Sequence, residues 1–192
     1  MKGYNKLRKM VLEILSTKLS KDFYYHGIDH TLDVLKVSNR YIKREKINTQ
    51  DAKLLRIGVL LHDIGFAESH INHEAKSVEI AERLMSECRF SKDHIKIVNG
   101  LILSTKVPQM PKNNLEKIIC DADLDYLGRS DFYSRSDLLF EELKTYTNIE
   151  NKLEWNKLQV KFLKAHKYHT KFANKHRQPQ KEKRILEIEL LI

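Results

Sequence analysis

The stretch LLRIGVLLHDIGF, residues Leu54 to Phe66, decides the reading of this chain. Six apolar residues (Leu54, Leu55, Ile57, Val59, Leu60, Leu61) run up to His62 and Asp63. An imidazole or a carboxylate is costly to bury unless it is paired or bound to a metal. Here the two stand side by side at the end of a segment that reads as a core helix, and Gly65 follows at once. His30 upstream and Asp121, Asp123 and Asp125 downstream complete a set of nitrogen and oxygen donors. Such a set suits a divalent cation.

Outward from this stretch the periodicity is helical almost throughout. Met10, Leu12, Leu15 and Leu19 predict a first helix. Thr31 to Lys46 predicts a second, on which His30, Val34 and Val37 fall at i, i+4 and i+7, so His30 begins on the core side. Asn48 or Thr49 caps the helix that carries Leu54 to His62, and Gly65 lets the chain leave it. Asn72 caps a helix from His73 to about Cys88, and Ser91 caps another that stops before Pro108 and Pro111. Asn113 or Asn114 starts the helix bearing DADLDYLG, which Gly128 ends, and Ser130 caps the next. Asn151 to about His176 reads as one long helix broken by Pro179, followed by a short one with Leu186 and Leu190 as packing residues. Strand and hairpin signals are nearly absent. The expectation is a single all-α domain over residues 1–192, a bundle of about eight or nine helices.

Bulk properties set limits. The chain has 192 residues, 41% hydrophobic and 32% charged, enough for an ordinary core. No apolar run approaches the roughly 18–20 residues that span a bilayer. The N-terminal stretch MKGYNKLRKMVLEILSTKLS spaces its apolar residues at helical intervals, unlike a signal-peptide core. Cys88 and Cys120 lack CxxC spacing and read as buried thiols, which fits a reducing cytoplasm. Net charge is +9, with Lys outnumbering Arg 25 to 10. Residues 161–184 hold nine Lys or Arg against one acidic residue. That stretch raises nucleic-acid binding as a reading, although a solvated helical face accounts for it more simply. His94, His166, His169 and His176 carry no motif and read as surface residues. Trp155 and Phe162 read as core rather than as a base-stacking platform.

The segments HGIDHT, LLHDIGF, NHEAKSVEIAERL, LILSTKVPQMP, IICDADLDYLGR and WNKLQVKFLKAHKYHT, in this order, resemble a bacterial branch of the HD superfamily of metal-dependent phosphohydrolases with a DADLxxLG signature. The resemblance covers about residues 4 to 190. It implies an all-α fold with a metal held between core helices, and metal ligands His30, His62, Asp63 and one Asp of DAD. The Ala-Asp pair selects Asp123, after Ala122. Asp121, roughly 200° round a helix from it, is the competing assignment, because the Leu124–Gly128 spacing differs by one residue from the commoner form. By the same resemblance His73 is a candidate second-metal ligand or general acid, with Glu74 and His70 beside it and His26 at the pocket lip. Ser104-Thr105-Lys106 stands where some members have a further His, which puts a second metal in question.

The chemistry implied is hydrolysis of a phosphomonoester or phosphodiester by a metal-activated water. Mixed N and O ligands fit Mn, Fe, Co, Ni, Zn or Mg. Asp63 would accept a hydrogen bond from the water or bridge two metals. Lys106, and Arg129 after the DADLDYLG helix, would neutralise phosphate charge, and Glu68 could position water. The substrate would be a phosphate-ester small molecule, with nucleotides among the candidates. Two rivals are a metal- or nucleotide-binding regulatory module without turnover, and a basic helical nucleic-acid-binding protein acting through 161–184. No Gly-rich phosphate loop or nucleophile-elbow serine is present to offer another route.

Overall fold

The computed structural model describes residues 3–192, so Met1 and Lys2 of the N-terminal stretch lie outside the described residues. Ten α-helices and no strand occur among the described residues: α1 (Tyr4–Thr17), α2 (Ile28–Arg44), α3 (Thr49–Leu61), α4 (His73–Glu87), α5 (Lys92–Ser104), α6 (Asn114–Asp123), α7 (Phe132–Leu143), α8 (Lys152–Ala165), α9 (Lys171–His176) and α10 (Gln178–Glu189). Single 3₁₀ turns at Ile64–Ala67 and Asp125–Gly128 follow α3 and α6. The all-α reading holds. None of these helices is long and apolar enough to cross a membrane.

Helix α3 is the axis of the fold because it is apolar round most of its circumference, interrupted only by Lys53 and Arg56 after its polar first turn, the pattern of a helix flanked by several others. Leu54, Ile57, Leu60 and Leu61 join a cluster with α1, α4 and α5. Ala52, Leu55 and Val59 join a second cluster with α2, Leu101 of α5 and α6. Its start is fixed by Asn48, whose side chain accepts the backbone N–H of Gln50 and Asp51, satisfying donors that a helix start leaves free. Gly58 lets α5 approach, since a Cβ there would stand 2.8 Å from Leu101. A third cluster joins Tyr25, Tyr126, Leu127, Phe132, Leu163 and Ile188. It lies on the far side of the α6 motif, against α7, α8 and α10.

Several expectations need correction. The predicted long helix of 151–176 is two helices: His166 turns extended (φ −66°, ψ 137°) and α9 starts afresh at Lys171 under a Thr170 cap. That split brings the count to ten. Pro179 does not end a helix but sits in the first turn of α10, where its missing N–H costs nothing. Leu186 and Leu190 are 65% and 88% exposed, and Ile188 with Lys181 is what α10 buries. Asn72 makes no side-chain cap and takes a left-handed conformation (φ 52°). Asp131, not Ser130, precedes α7. The DADLDYLG helix ends at Asp123 rather than Gly128. Gly65 is required by close approach, not by a turn: a Cβ would stand 2.0 Å from the His73 carbonyl oxygen.

Candidate metal centre and its cleft

His30 lies in the first turn of α2, behind Gly27, and points inward with Val34, Val37 and Tyr41. His62 caps the C-terminus of α3 and is fully buried. The α-helix stops there, and Asp63 leaves helical geometry (φ −110°, ψ 7°). Adjacent residues on a continued helix would diverge by about 100°; the break is what turns both side chains to one point. Asp123 arrives from the last residue of α6.

One donor atom from each of His30, His62, Asp63 and Asp123 lies within 4.8 Å of all the others. His30 Nε2 is 3.1 Å from Asp123 Oδ1 and 3.3 Å from Asp63 Oδ2. His62 Nε2 is 3.1 Å from Asp63 Oδ2 and 3.3 Å from Asp123 Oδ1. The two Nε2 atoms are 3.3 Å apart. His62 Nδ1 stands 2.8 Å from the Val59 carbonyl oxygen. A carbonyl only accepts, so Nδ1 carries a proton, and whenever the ring is neutral its lone pair is on Nε2, facing the cluster. Two imidazole nitrogens and two carboxylate oxygens thus face one another at 3.1–3.3 Å. Either protons or a cation must fill that gap, and the donor set fits a divalent cation. With protons alone, burial would lower both histidines, but Asp63 and Asp123 outweigh it and raise them, His62 strongly. Burial likewise opposes Asp123, yet its hydrogen bonds to His30 and His62 bring it down to about 2.

The aspartates of DAD face apart. Asp121 is buried and accepts the backbone N–H of His169 (2.8 Å) and Thr170 (2.7 Å). Asp125 accepts from Tyr41 Oη (3.0 Å) and Arg177 Nε (2.7 Å). Neither belongs to the cluster. Asp123 alone turns toward His30 and His62.

A cleft of about 370 Å³ opens over the cluster, with Asp63, Asp123, His26, His73, Glu74 and Lys106 in its wall. His73 Nε2 stands 3.6 Å from both Asp63 Oδ1 and Glu74 Oε1. Burial lowers its pKa more than these carboxylates raise it. Lys106 is exposed at the mouth. Arg129 does not face the cleft as a free cation: it pairs with Asp33 at 2.8 Å and with Asp131. Glu68 and His70 are exposed, and His70 stacks on Tyr146 with ring centroids 4.4 Å apart.

Two residues of this site escape the sequence reading. Phe66 packs against two imidazoles, its ring centroid 4.2 Å from that of His26 and 4.1 Å from that of His73. Glu142 of α7 is fully buried, pairs with His26 Nδ1, and accepts the backbone N–H of Tyr25 and His26 at 2.8 and 2.9 Å. Burial would raise Glu142, but these hydrogen bonds hold it below the usual carboxylate range. Phe66 had a signal in its place directly after HDIG. Glu142 had none, being 116 residues from its partner.

Five of the nine basic residues of 161–184 have partners. Lys164 pairs with Glu189, Arg177 with Asp125, Lys183 and Arg184 with Glu187. Lys181 is buried, and its Nζ donates to the His166 carbonyl at 2.5 Å. His166 and His169 are not on a helix face but line a small pocket at the α8–α9 break.

A family model described as HD domain matches residues 27–125, just over half of the chain. Among solved structures, the chain is similar to a predicted HD superfamily hydrolase from an uncultured Thermotogales bacterium, with a TM-score of 0.63 and 21% identity, covering 95% of this chain and 90% of that one. At that identity the likeness speaks for the fold. No curated protein matches.

Proposed function

The chain belongs to the HD domain family, and from that premise we propose that it hydrolyses a phosphate ester with a divalent metal held by His30, His62, Asp63 and Asp123. One observation carries the reading: four donor atoms converge within 4.8 Å, with the His62 tautomer fixed so that a lone pair faces the cluster. Asp121 is left out of the set because both its oxygens already accept backbone N–H groups. When bound, a cation of the Mn, Fe, Co, Ni, Zn or Mg group would polarise the phosphoryl oxygen and make hydroxide available near neutral pH.

The remaining work falls to side chains. Asp63 divides its carboxylate: Oδ2 faces His30 and His62, while Oδ1 faces His73 and is free to accept a hydrogen bond from the attacking water. His73, half-buried in the cleft wall and braced by Phe66, is the candidate acid for the leaving oxygen. His26, its Nδ1 held by Glu142, keeps Nε2 for the substrate side. Lys106 supplies positive charge to the phosphate at the mouth. The substrate is a small phosphate ester, nucleotides included among the first to try, and residues 1–192 act as one unit.

The test is elemental analysis of the purified protein and of the double variant His62→Ala/Asp63→Ala, joined to a panel of phosphate esters assayed with each metal after chelation. Metal in the wild type alone, with phosphate release restored by one of the six cations, supports the reading. Equal metal content in both proteins removes the site.

A further inference from the structure

The cleft has two unlike ends. Titratable and charged groups (Asp63, Asp123, His26, His73, Glu74, Lys106) gather at one. Beyond them the wall is built by two helices that each present one apolar stripe. Helix α7 supplies Phe132, Leu139 and Leu143 at i, i+7 and i+11, and α8 supplies Trp155, Leu158 and Phe162 at i, i+3 and i+7. These are spacings that keep side chains on one helix face.

Most of the polar side chains on the α7–α8 wall are engaged within the protein. Trp155 Nε1 donates to Ser136 Oγ at 3.2 Å, and Ser136 Oγ donates to Gln159 Oε1 at 2.6 Å. Thr105 Oγ1 donates to the Ile102 carbonyl at 2.7 Å. Tyr25 and Tyr126, with ring centroids 5.6 Å apart, add their two phenol hydroxyls to the lining. A nucleobase edge or a ribose entering here would give up its hydrogen bonds to water and find few in return, which is costly. An alkyl or aryl group would lose nothing and bury its surface. Val107 and Leu158, 54% and 41% exposed, carry the apolar lining out to the surface, so that part of the rim has the same character as the α7–α8 wall.

We infer that the organic half of the ligand is apolar: the site takes the phosphate ester of an alkyl or aryl alcohol, with the phosphate on the His/Asp end and the hydrocarbon between α7 and α8. This rests on the phosphoester reading above and narrows it.

Trp155 is the single tryptophan of the chain and reports on this wall directly. The full-length protein would be titrated, with Mn²⁺ present, with n-alkylphosphonates from methyl to octyl and with AMP, following Trp155 emission and the heat of binding. The expected result is a dissociation constant that falls roughly fourfold for each added methylene, a change in Trp155 emission with the longer chains, and AMP binding more weakly than hexylphosphonate. Leu139→Asn and Phe162→Ser should each flatten the chain-length series. An affinity independent of chain length in the wild type, or AMP bound more tightly than hexylphosphonate, overturns the inference. Hexyl phosphate and AMP assayed for phosphate release separate the two claims. A chain-length dependence without turnover of any ester keeps the apolar site and removes the hydrolase. Release from AMP with a flat alkyl series keeps the hydrolase and removes the apolar site.

Discussion

At the scale of single residues, Asp121 and Asp123 make the sharpest contrast. Asp123→Asn should abolish metal retention, because it removes an anionic donor from the four. Asp121→Ala should leave the metal content of the folded protein intact but cost about 2–4 kcal/mol of stability, since it strands the backbone N–H groups of His169 and Thr170. Elemental analysis beside urea unfolding reads both, and the reverse ranking would transfer the ligand role to Asp121. The sequence left this choice open because the two aspartates share one motif, and only their contacts with distant backbone divide them. The histidines predict a pH dependence. Without metal their pKa values are raised by Asp63 and Asp123, so the imidazolium–carboxylate pairs stabilise the fold fully below the unfolded value near 6.5 and less as pH climbs through the folded values. Metal needs the unprotonated rings and gains as protons leave. The difference in melting temperature between metal-loaded and chelated protein should therefore widen from pH 6 to pH 8; a constant difference would argue against these ligands. Lys106→Ala should lower kcat/KM about tenfold through a lost charge-assisted contact, with circular dichroism unchanged.

At the scale of elements, α3 and the turn after it were legible for a plain reason: a helix whose second half is apolar on nearly every side belongs in the centre, and buried His62 and Asp63 at its end must meet partners. The close approach behind Gly65 was not legible, since nothing local says that α4 begins against it. Gly65→Ala would drive a Cβ to 2.0 Å from the His73 carbonyl oxygen, backbone that cannot yield. At Gly58 the neighbour is the Leu101 side chain at 2.8 Å, which can shift. Gly65→Ala should therefore cost more than about 3 kcal/mol and displace His73, while Gly58→Ala stays within the usual overpacking range of about 1–3 kcal/mol; urea midpoints give the comparison. The split of the expected 151–176 helix has an equally non-local cause. The N–H groups of His169 and Thr170 are taken by Asp121, 48 and 49 residues away in sequence, and a continuous helix would have kept them.

At the scale of the whole molecule, the all-α class and the order of the helices followed from periodicity, but the C-terminal third was misread in what it buries. Its apolar leucines at 186 and 190 face outward while Lys181 goes in. Burial lowers Lys181 to about 8. A lysine whose folded value lies below its unfolded one favours the fold more as pH rises from about 8 to 10.5, and Lys181→Met should remove that rise from a pH series of unfolding midpoints. The motif DADLD binds the two halves together: its middle aspartate faces the metal set, while its outer two hold the backbone at 169–170 and Arg177. Seen as an event in biosynthesis, this has a consequence. A nascent chain emerging only to residue 165 already carries all four donor residues, yet Asp121 has no N–H groups to grip and Asp125 no guanidinium. The four donor residues are thus all present before residues 169–177 have arrived to steady the aspartates on either side of Asp123, and that later segment would decide when the centre becomes firm enough to keep an ion.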